Sequence, residues 1–155
     1  CMAQGEEHGY HFGGDVYQRV ELSENGLDCR IVPASDPVDE GTYNAAEFTP
    51  ALIKDGEKIE DSFWTGEQPR ACFGTGDQGV YMLIIEGRYP GEGIRGTSVN
   101  TCSDILLAYG CRNALNMDGG SSAILWYDGE YVTQSSSSFL RYTGGRPLPN
   151  AWVYG

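Results

Sequence analysis

Residues that could do chemistry gather at a few points of this 155-residue chain. The densest is Asp118-Gly119-Gly120-Ser121-Ser122. It interrupts an apolar run (Ala114, Leu115, Met117) and a second apolar run over residues 123–127. A carboxylate, two glycines and two hydroxyls therefore sit on a tight connection. Glycines there let backbone come close to a ligand and aim N–H groups at an anion. A second carboxylate, Glu86, follows the continuous apolar run 80–85 and is itself followed by Gly87 and Arg88. Arg70 opens another strand-like segment, and Arg146 stands in the C-terminal loop. Carboxylates with arginines can manage developing positive charge beside an anionic group, and the combination is more telling than any single residue. Each also has a plainer use. Glu86 fits a turn cap, Arg70 a structural partner of Asp118 or Glu86, Arg146 a solvated loop, and Asn116 is expected to satisfy backbone groups rather than substrate.

Positioning these groups falls to strands and one helix. Residues 15–22 alternate as an exposed strand, and 23–26 turn into a partner over 27–32. Residues 33–40 form a loop, 41–48 are ambiguous, and 48–53 read as a strand. Residues 61–69 read as a loop carrying Phe63 and Trp64, rings that either stack on a ligand or cover the core edge. Residues 70–74 and 80–86 form a hairpin. Ser98 is a suitable N-cap, and Val99, Cys102, Ile105, Leu106 and Tyr109 follow helical spacing until Gly110. This helix lies between strands 80–86 and 114–117, so a crossover predicts that the two run parallel. Glu86 and Asp118 would then emerge on one sheet edge and line one pocket. Asp128-Gly129 predicts a hairpin that returns over 130–134. Residues 135–138 read as a flexible serine loop and 150–154 as a closing strand.

Composition narrows the function classes. The formal charge is −12, with 22 acidic against 10 basic residues, which argues against nucleic acid or an anionic membrane as a general partner. An anionic substrate would need a local arginine cluster. No run reaches transmembrane length. Five cysteines form no C-x-x-C pair, and a helix would hold Cys102 and Cys111 too far apart to bridge. His8 and His11 have metal-compatible spacing but no supporting ligand motif, so neither a metal nor a cofactor is expected. Residues 1–14 are polar and glycine-rich and are expected to be peripheral to a single domain over 15–155. Cys1 fits an arbitrary chain start, a processing site, an acylated cysteine or an N-terminal nucleophile. A serine hydrolase is disfavoured, because there is no G-x-S-x-G elbow and no histidine after His11. Neither Rossmann nor P-loop glycine spacing is present.

Five motifs, in order, resemble those of the phosphodiester glycosidase family. Ala114-Leu115-Asn116-Met117-Asp118-Gly119-Gly120-Ser121-Ser122 resembles its A-x-N-L-D-G-G-G-S-S signature. Residues 48–56 resemble G-P-A-L-[IV]-x-D-G, residues 70–74 R-T-A-[IV]-G, and residues 85–88 V-D-G-R. Arg146-Pro147 and Asn150-Ala151 resemble the closing R-P-x-x-N-A. Ser121 replaces a third glycine, Ala123 a serine, and Glu86 an aspartate. No Asn-Gly-Gly-Phe-Phe-like segment lies upstream, so the chain is expected to be a fragment, a processed piece or a reduced homologue. It would then associate with a missing N-terminal segment or another chain.

The resemblance implies an α+β fold: a mixed, mostly antiparallel β-sheet with one principal packing helix. It also implies a secreted or cell-surface hydrolase that cleaves a glycosyl-1-phosphodiester at the anomeric carbon. Such cleavage passes through an oxocarbenium-like centre and expels a phosphate monoester, so charge stabilisation by arginine gains weight over acid assistance. Asp118 and Glu86 are the expected catalytic carboxylates. Arg70, Arg88, Arg146, Gly119, Gly120, Ser121 and Ser122 are the expected phosphate-binding groups. The rival is a non-catalytic phosphoglycan-binding module on a cell surface or virus particle.

Overall fold

The computed structural model describes residues 2–4, 7–8, 16–137, 146–148 and 150–154, the first two segments along the backbone only. Strands β1 (Met2–Gln4), β2 (Glu7–His8), β3 (Gln18–Leu22), β4 (Cys29–Pro33) and β5 (Asn44–Phe48) form one sheet in the order β2-β1-β5-β3-β4. Strands β6 (Ala51–Lys54), β7 (Glu57–Lys58), β8 (Arg70–Gly76), β9 (Gly79–Ile85) and β10 (Cys111–Asn116) form a second in the order β7-β6-β10-β8-β9. A small hairpin joins β11 (Trp126–Tyr127) to β12 (Glu130–Tyr131). Helix α1 (Val99–Ala108) completes the α+β architecture.

Apolar patterning sets the layers. Val20, Leu22, Ile31 and Ala46 of the first sheet pack on Ala51, Phe73 and Leu115 of the second. Residues of opposite parity on the second sheet, including Cys72 and Ala114, pack on Val99, Cys102 and Leu106 of α1. The second sheet is thus buried on both faces. That explains why β10 carries adjacent buried residues, Ala114 and Leu115, instead of a polar alternation. Helix α1 begins where Ser98 Oγ accepts the Thr101 N–H at 3.2 Å, and the chain leaves it through Gly110 at φ 88°.

Several expectations need correction. The α+β, mostly antiparallel class holds, but the strands form two five-stranded sheets and a two-stranded hairpin rather than one sheet, and every strand pairing among the described residues is antiparallel. β9 and β10 do run in the same direction, but β8 lies between them and is antiparallel to both. The ambiguous residues 41–48 contain β5, which pairs with both β1 and β3. Met2–Gln4 therefore adds to a sheet rather than standing apart from it. The side chains of His8 and His11 and all of Cys1 lie outside the described residues. Asn150 to Tyr154 form no strand; instead Trp152 stacks on Phe73 with ring centroids 4.0 Å apart. The serine run is partly built in, for Ser135 is buried and its carbonyl accepts the Tyr89 hydroxyl. Ser138 lies outside the described residues. No helix among the described residues is long and apolar enough to cross a membrane.

Candidate functional site

The ends of β9 and β10 and the start of β8 share one edge of the second sheet, so Glu86, Asp118 and Arg70 come from neighbouring strand ends. Side-chain parity then places Arg70. Arg70 pairs with Ile85 and Cys72 with Asn116, and directly paired residues project to the same face. Ile85, Cys72 and hence Arg70 and Asn116 belong to the α1 face. Glu86 lies one residue beyond the end of β9.

A cavity of about 320 Å³ opens at this edge. It is lined by Asp118 through Ser122, by Arg70, Arg88, Asn116 and Arg146, and by Gln68, Pro69 and Trp64 among others. Arg146 organises its mouth. Its Nη2 reaches Asp118 Oδ2 at 2.6 Å, and Nε and Nη2 donate to Ser122 Oγ at 2.9 and 2.7 Å. Arg88 takes the left-handed region, φ 69°, which an unbranched but bulky side chain rarely adopts. Gln68 Oε1 receives its Nε at 2.8 Å and Ser136 Oγ its Nη1 at 3.5 Å.

The two glycines answer to specific contacts. A Cβ at Gly119 would stand 2.5 Å from the Pro69 carbonyl oxygen. At Gly120, φ 58°, it would stand 3.0 Å from Arg88 Nη1. Gly120 is thus the flat surface against which the Arg88 guanidinium lies. This use differs from the anticipated anion nest. The Gly120 N–H is committed to the Pro69 carbonyl at 3.0 Å, and the Ser122 N–H to the Gly119 carbonyl at 3.0 Å in a short 3-10 turn. The cationic groups that line the cavity are arginine side chains.

Glu86 also departs from expectation, since it is not among the cavity-lining residues. Its Oε1 accepts the backbone N–H of Gln134. The following residue, Ser135, donates its hydroxyl to the Ser121 carbonyl at 3.3 Å. Glu86 therefore fastens the segment that lies against the Asp-Gly-Gly-Ser-Ser loop. Arg70 is divided between two uses. It is 4 % exposed, with Nε on the Thr97 carbonyl and Nη2 on the carbonyls of Trp64 and Gly66. Its guanidinium also lies over the Trp64 ring at 5.9 Å. Burial pushes its pKa down from the ordinary arginine value, while nearby thiols and Asp61 act in the opposite direction. Arg70 lines the cavity as a buttress, and Arg88 and Arg146 are its accessible cations.

Sequence reasoning missed Gln68, the anchor of Arg88, and nothing in its neighbourhood signals that task. Trp64, expected as a ligand platform or an edge cover, lines the cavity with its ring over the Arg70 guanidinium. Phe63, 89 % exposed, lines a larger groove of about 800 Å³ with Val16, Ile31, Pro50, Ile59 and others. That groove is mostly apolar, and none of the arginine–carboxylate set lines it. Among the described residues no group of His, Cys, Asp and Glu side chains could hold a metal.

Comparison with known proteins agrees with this fold. The catalytic domain of zebrafish N-acetylglucosamine-1-phosphodiester alpha-N-acetylglucosaminidase, auto-inhibited by its pro-peptide, superposes with a TM-score of 0.64 at 15 % identity. The match covers 87 % of this chain and 50 % of that one, so this chain spans about half the length of its relative. A hypothetical protein from Synechocystis matches at TM-score 0.51 and 19 % identity, over 82 % of this chain and 32 % of that one. At these identities the likeness is one of fold. A comparison with curated proteins finds no match. The phosphodiester glycosidase family model matches residues 3–154, nearly the whole chain, and this protein belongs to that family.

Proposed function

We propose that the chain hydrolyses a glycosyl-1-phosphodiester at the anomeric carbon, with Asp118 facing that carbon. The observation that carries this reading is the convergence of Asp118, Arg88 and Arg146 on one small cavity. Departure of a phosphate leaves positive charge on the sugar and negative charge on the leaving group. Asp118 offsets the first, while Arg88, Arg146 and the Ser122 hydroxyl offset the second. A phosphate monoester is a weak base and departs without a strong general acid. Water forms the new bond to the anomeric carbon as the bond to phosphate breaks and passes its proton to Asp118, so one lining carboxylate serves the reaction and Glu86 acts as a positioning residue through the segment at Gln134. Arg146 Nη2 lies 2.6 Å from Asp118 Oδ2. An incoming phosphate would compete for Arg146 and release the carboxylate toward the sugar. By analogy with the zebrafish enzyme's name, an N-acetylglucosaminyl phosphodiester is the first substrate to try. Such a substrate suits a secreted or cell-surface protein.

The decisive assay incubates the chain with a methyl phosphodiester of N-acetylglucosamine and follows free sugar and methyl phosphate. Their release in equal amounts, abolished in Asp118→Asn, is the expected result. A second reading, a phosphoglycan-binding module, draws on one observation: Glu86 is absent from the cavity lining. Binding of the phosphodiester without release of either product would favour it and overturn the hydrolase.

A further inference from the structure

The apolar groove of about 800 Å³ adjoins the arginine-lined cavity. Trp64 lines both spaces, and where Phe48 lines the cavity, the next two residues, Thr49 and Pro50, line the groove. Asn116 of the cavity wall joins the two across that connection. Its Nδ2 donates to the Thr49 carbonyl at 2.7 Å and its backbone N–H to the Pro50 carbonyl at 3.0 Å. The groove is open from outside, for Phe63 is 89 % exposed, Val16 70 % and Trp64 42 %. Phe63 and Trp64 stand on an ordered turn. Asp61 Oδ1 accepts their backbone N–H groups at 2.8 and 2.6 Å, and the Asn100 side-chain amide holds the Asp61 backbone at 2.9 Å on both sides. Several large apolar side chains held in water around one groove mark a surface that takes an apolar occupant.

The polar groups of the groove are largely engaged within the fold. Gln18 Oε1 accepts the Ala51 N–H at 3.0 Å, the Ile59 N–H goes to the Leu52 carbonyl at 2.9 Å, and Asp61 is held as described. A saccharide needs partners for each buried hydroxyl, whereas a hydrocarbon needs only apolar surface. A phosphodiester in the cavity has two ester arms. Asp118 faces the glycosyl arm, and the other arm must pass the cavity wall into whatever space adjoins it. We propose that the groove holds that second arm and that it is a hydrocarbon chain, so the substrate class is a glycosyl phosphate alkyl ester. This rests on the glycosyl-phosphodiester reading of the cavity and adds to it the chemistry of the leaving group. Water oxygen bonds to the anomeric carbon as the carbon–oxygen bond to phosphate breaks. The electron pair of that bond leaves with the alkyl phosphate, and the remaining proton of water passes through Asp118 to solvent.

The test compares the methyl and octyl phosphodiesters of N-acetylglucosamine, both below micelle-forming concentration. In the unmutated chain kcat/KM is expected to be about 30-fold or more higher for the octyl ester, since several methylenes leave water. Phe63→Ser combined with Val16→Ser removes two exposed apolar side chains outside the cavity, so the fold should survive, as a thermal melt checks. In that variant the octyl advantage should shrink to about threefold or less, while kcat/KM on the methyl ester stays within about twofold. Equal rates on both esters overturn the hydrocarbon groove and leave the hydrolase standing. If neither ester is cleaved, calorimetric affinities decide. Octyl bound about 30-fold more tightly than methyl, with that difference lost in the double variant, upholds the groove and overturns catalysis. An octyl preference that survives the double variant overturns the groove. So does an absent preference with a dimer that the double variant disperses, which would give the groove to a second copy of the chain.

Discussion

Asp118 and Gly120 show how a single residue decides what this cavity can do. The Asp118–Arg146 pair is about half exposed, and such pairs contribute only ~0–1 kcal/mol to stability. Asp118→Asn should therefore leave the melting temperature nearly unchanged. Turnover on a glycosyl-1-phosphodiester should fall by roughly 100-fold or more, since a charge aimed at the transition state is removed. Ser122→Ala should lower turnover by about tenfold or less, because it deletes one of several groups around the anion. Steady-state kinetics with thermal melts on both variants checks the ranking. Gly120→Ala tests the packing of Arg88. A methyl group there meets the guanidinium and sits at positive φ, so KM should rise several-fold while Asp118 remains in place. An unchanged KM would remove Arg88 from the anion site.

At the scale of elements, α1 and the β8–β9 hairpin do the positioning. Helix α1 covers the second sheet through Val99, Cys102 and Leu106, and its first turn is tied down by Ser98. Ser98→Ala should cost about 1 kcal/mol and lower the melting temperature by roughly 2–4 °C, read by calorimetry. The hairpin register places Arg70 opposite Ile85, and Glu86 follows directly, its Oε1 accepting the Gln134 N–H. Directional reasoning from the crossover located Glu86 at the correct edge. It did not find its partner, the Gln134 N–H, which lies far along the chain. Glu86→Gln keeps an oxygen that can accept from Gln134 and should retain turnover within about threefold if its role is positional. Glu86→Ala should reduce turnover further by loosening the segment at Ser135. Equal, large losses in both would restore Glu86 as a reacting carboxylate.

At the scale of the whole molecule, one contribution to acid stability lies away from the cavity, in the first sheet. Glu21 is buried there between Arg19, whose Nε lies 2.7 Å from Oε1, and Arg30. Burial alone would raise its pKa, but hydrogen bonds from Arg30 and Arg19 outweigh burial and hold it below the ordinary carboxylate value. A depressed pKa in the folded state means the unfolded chain takes up the proton first as pH falls. The stabilisation is therefore full above the ordinary value near 4.5 and is lost as pH drops toward and through the folded value. Melting curves from pH 7 to pH 3 should show a steepening loss below about pH 5. In Glu21→Gln the molecule should be less stable by about 3 kcal/mol or more at pH 7 and should show a shallower acid slope, because one partner of a buried ion pair is gone.

Spacing and residue type alone determined the helix, the central hairpin, the family and the membership of the cavity's main wall. These depend on local periodicity, capping and glycine chemistry, which a short window of sequence contains. Asp118, Arg88, Arg146 and Ser122 could be nominated for the same reason: charged and hydroxyl groups at strand ends are legible one motif at a time. Only the tertiary structure decided that β8 separates β9 from β10, that Glu86 accepts the Gln134 N–H, and that the Gly120 N–H is committed to Pro69. It also decided that Asn116 satisfies backbone with one atom and leaves the other unspent. Each of those outcomes depends on a partner distant in sequence, and a donor or acceptor is assigned only when the folded chain brings that partner within hydrogen-bonding reach.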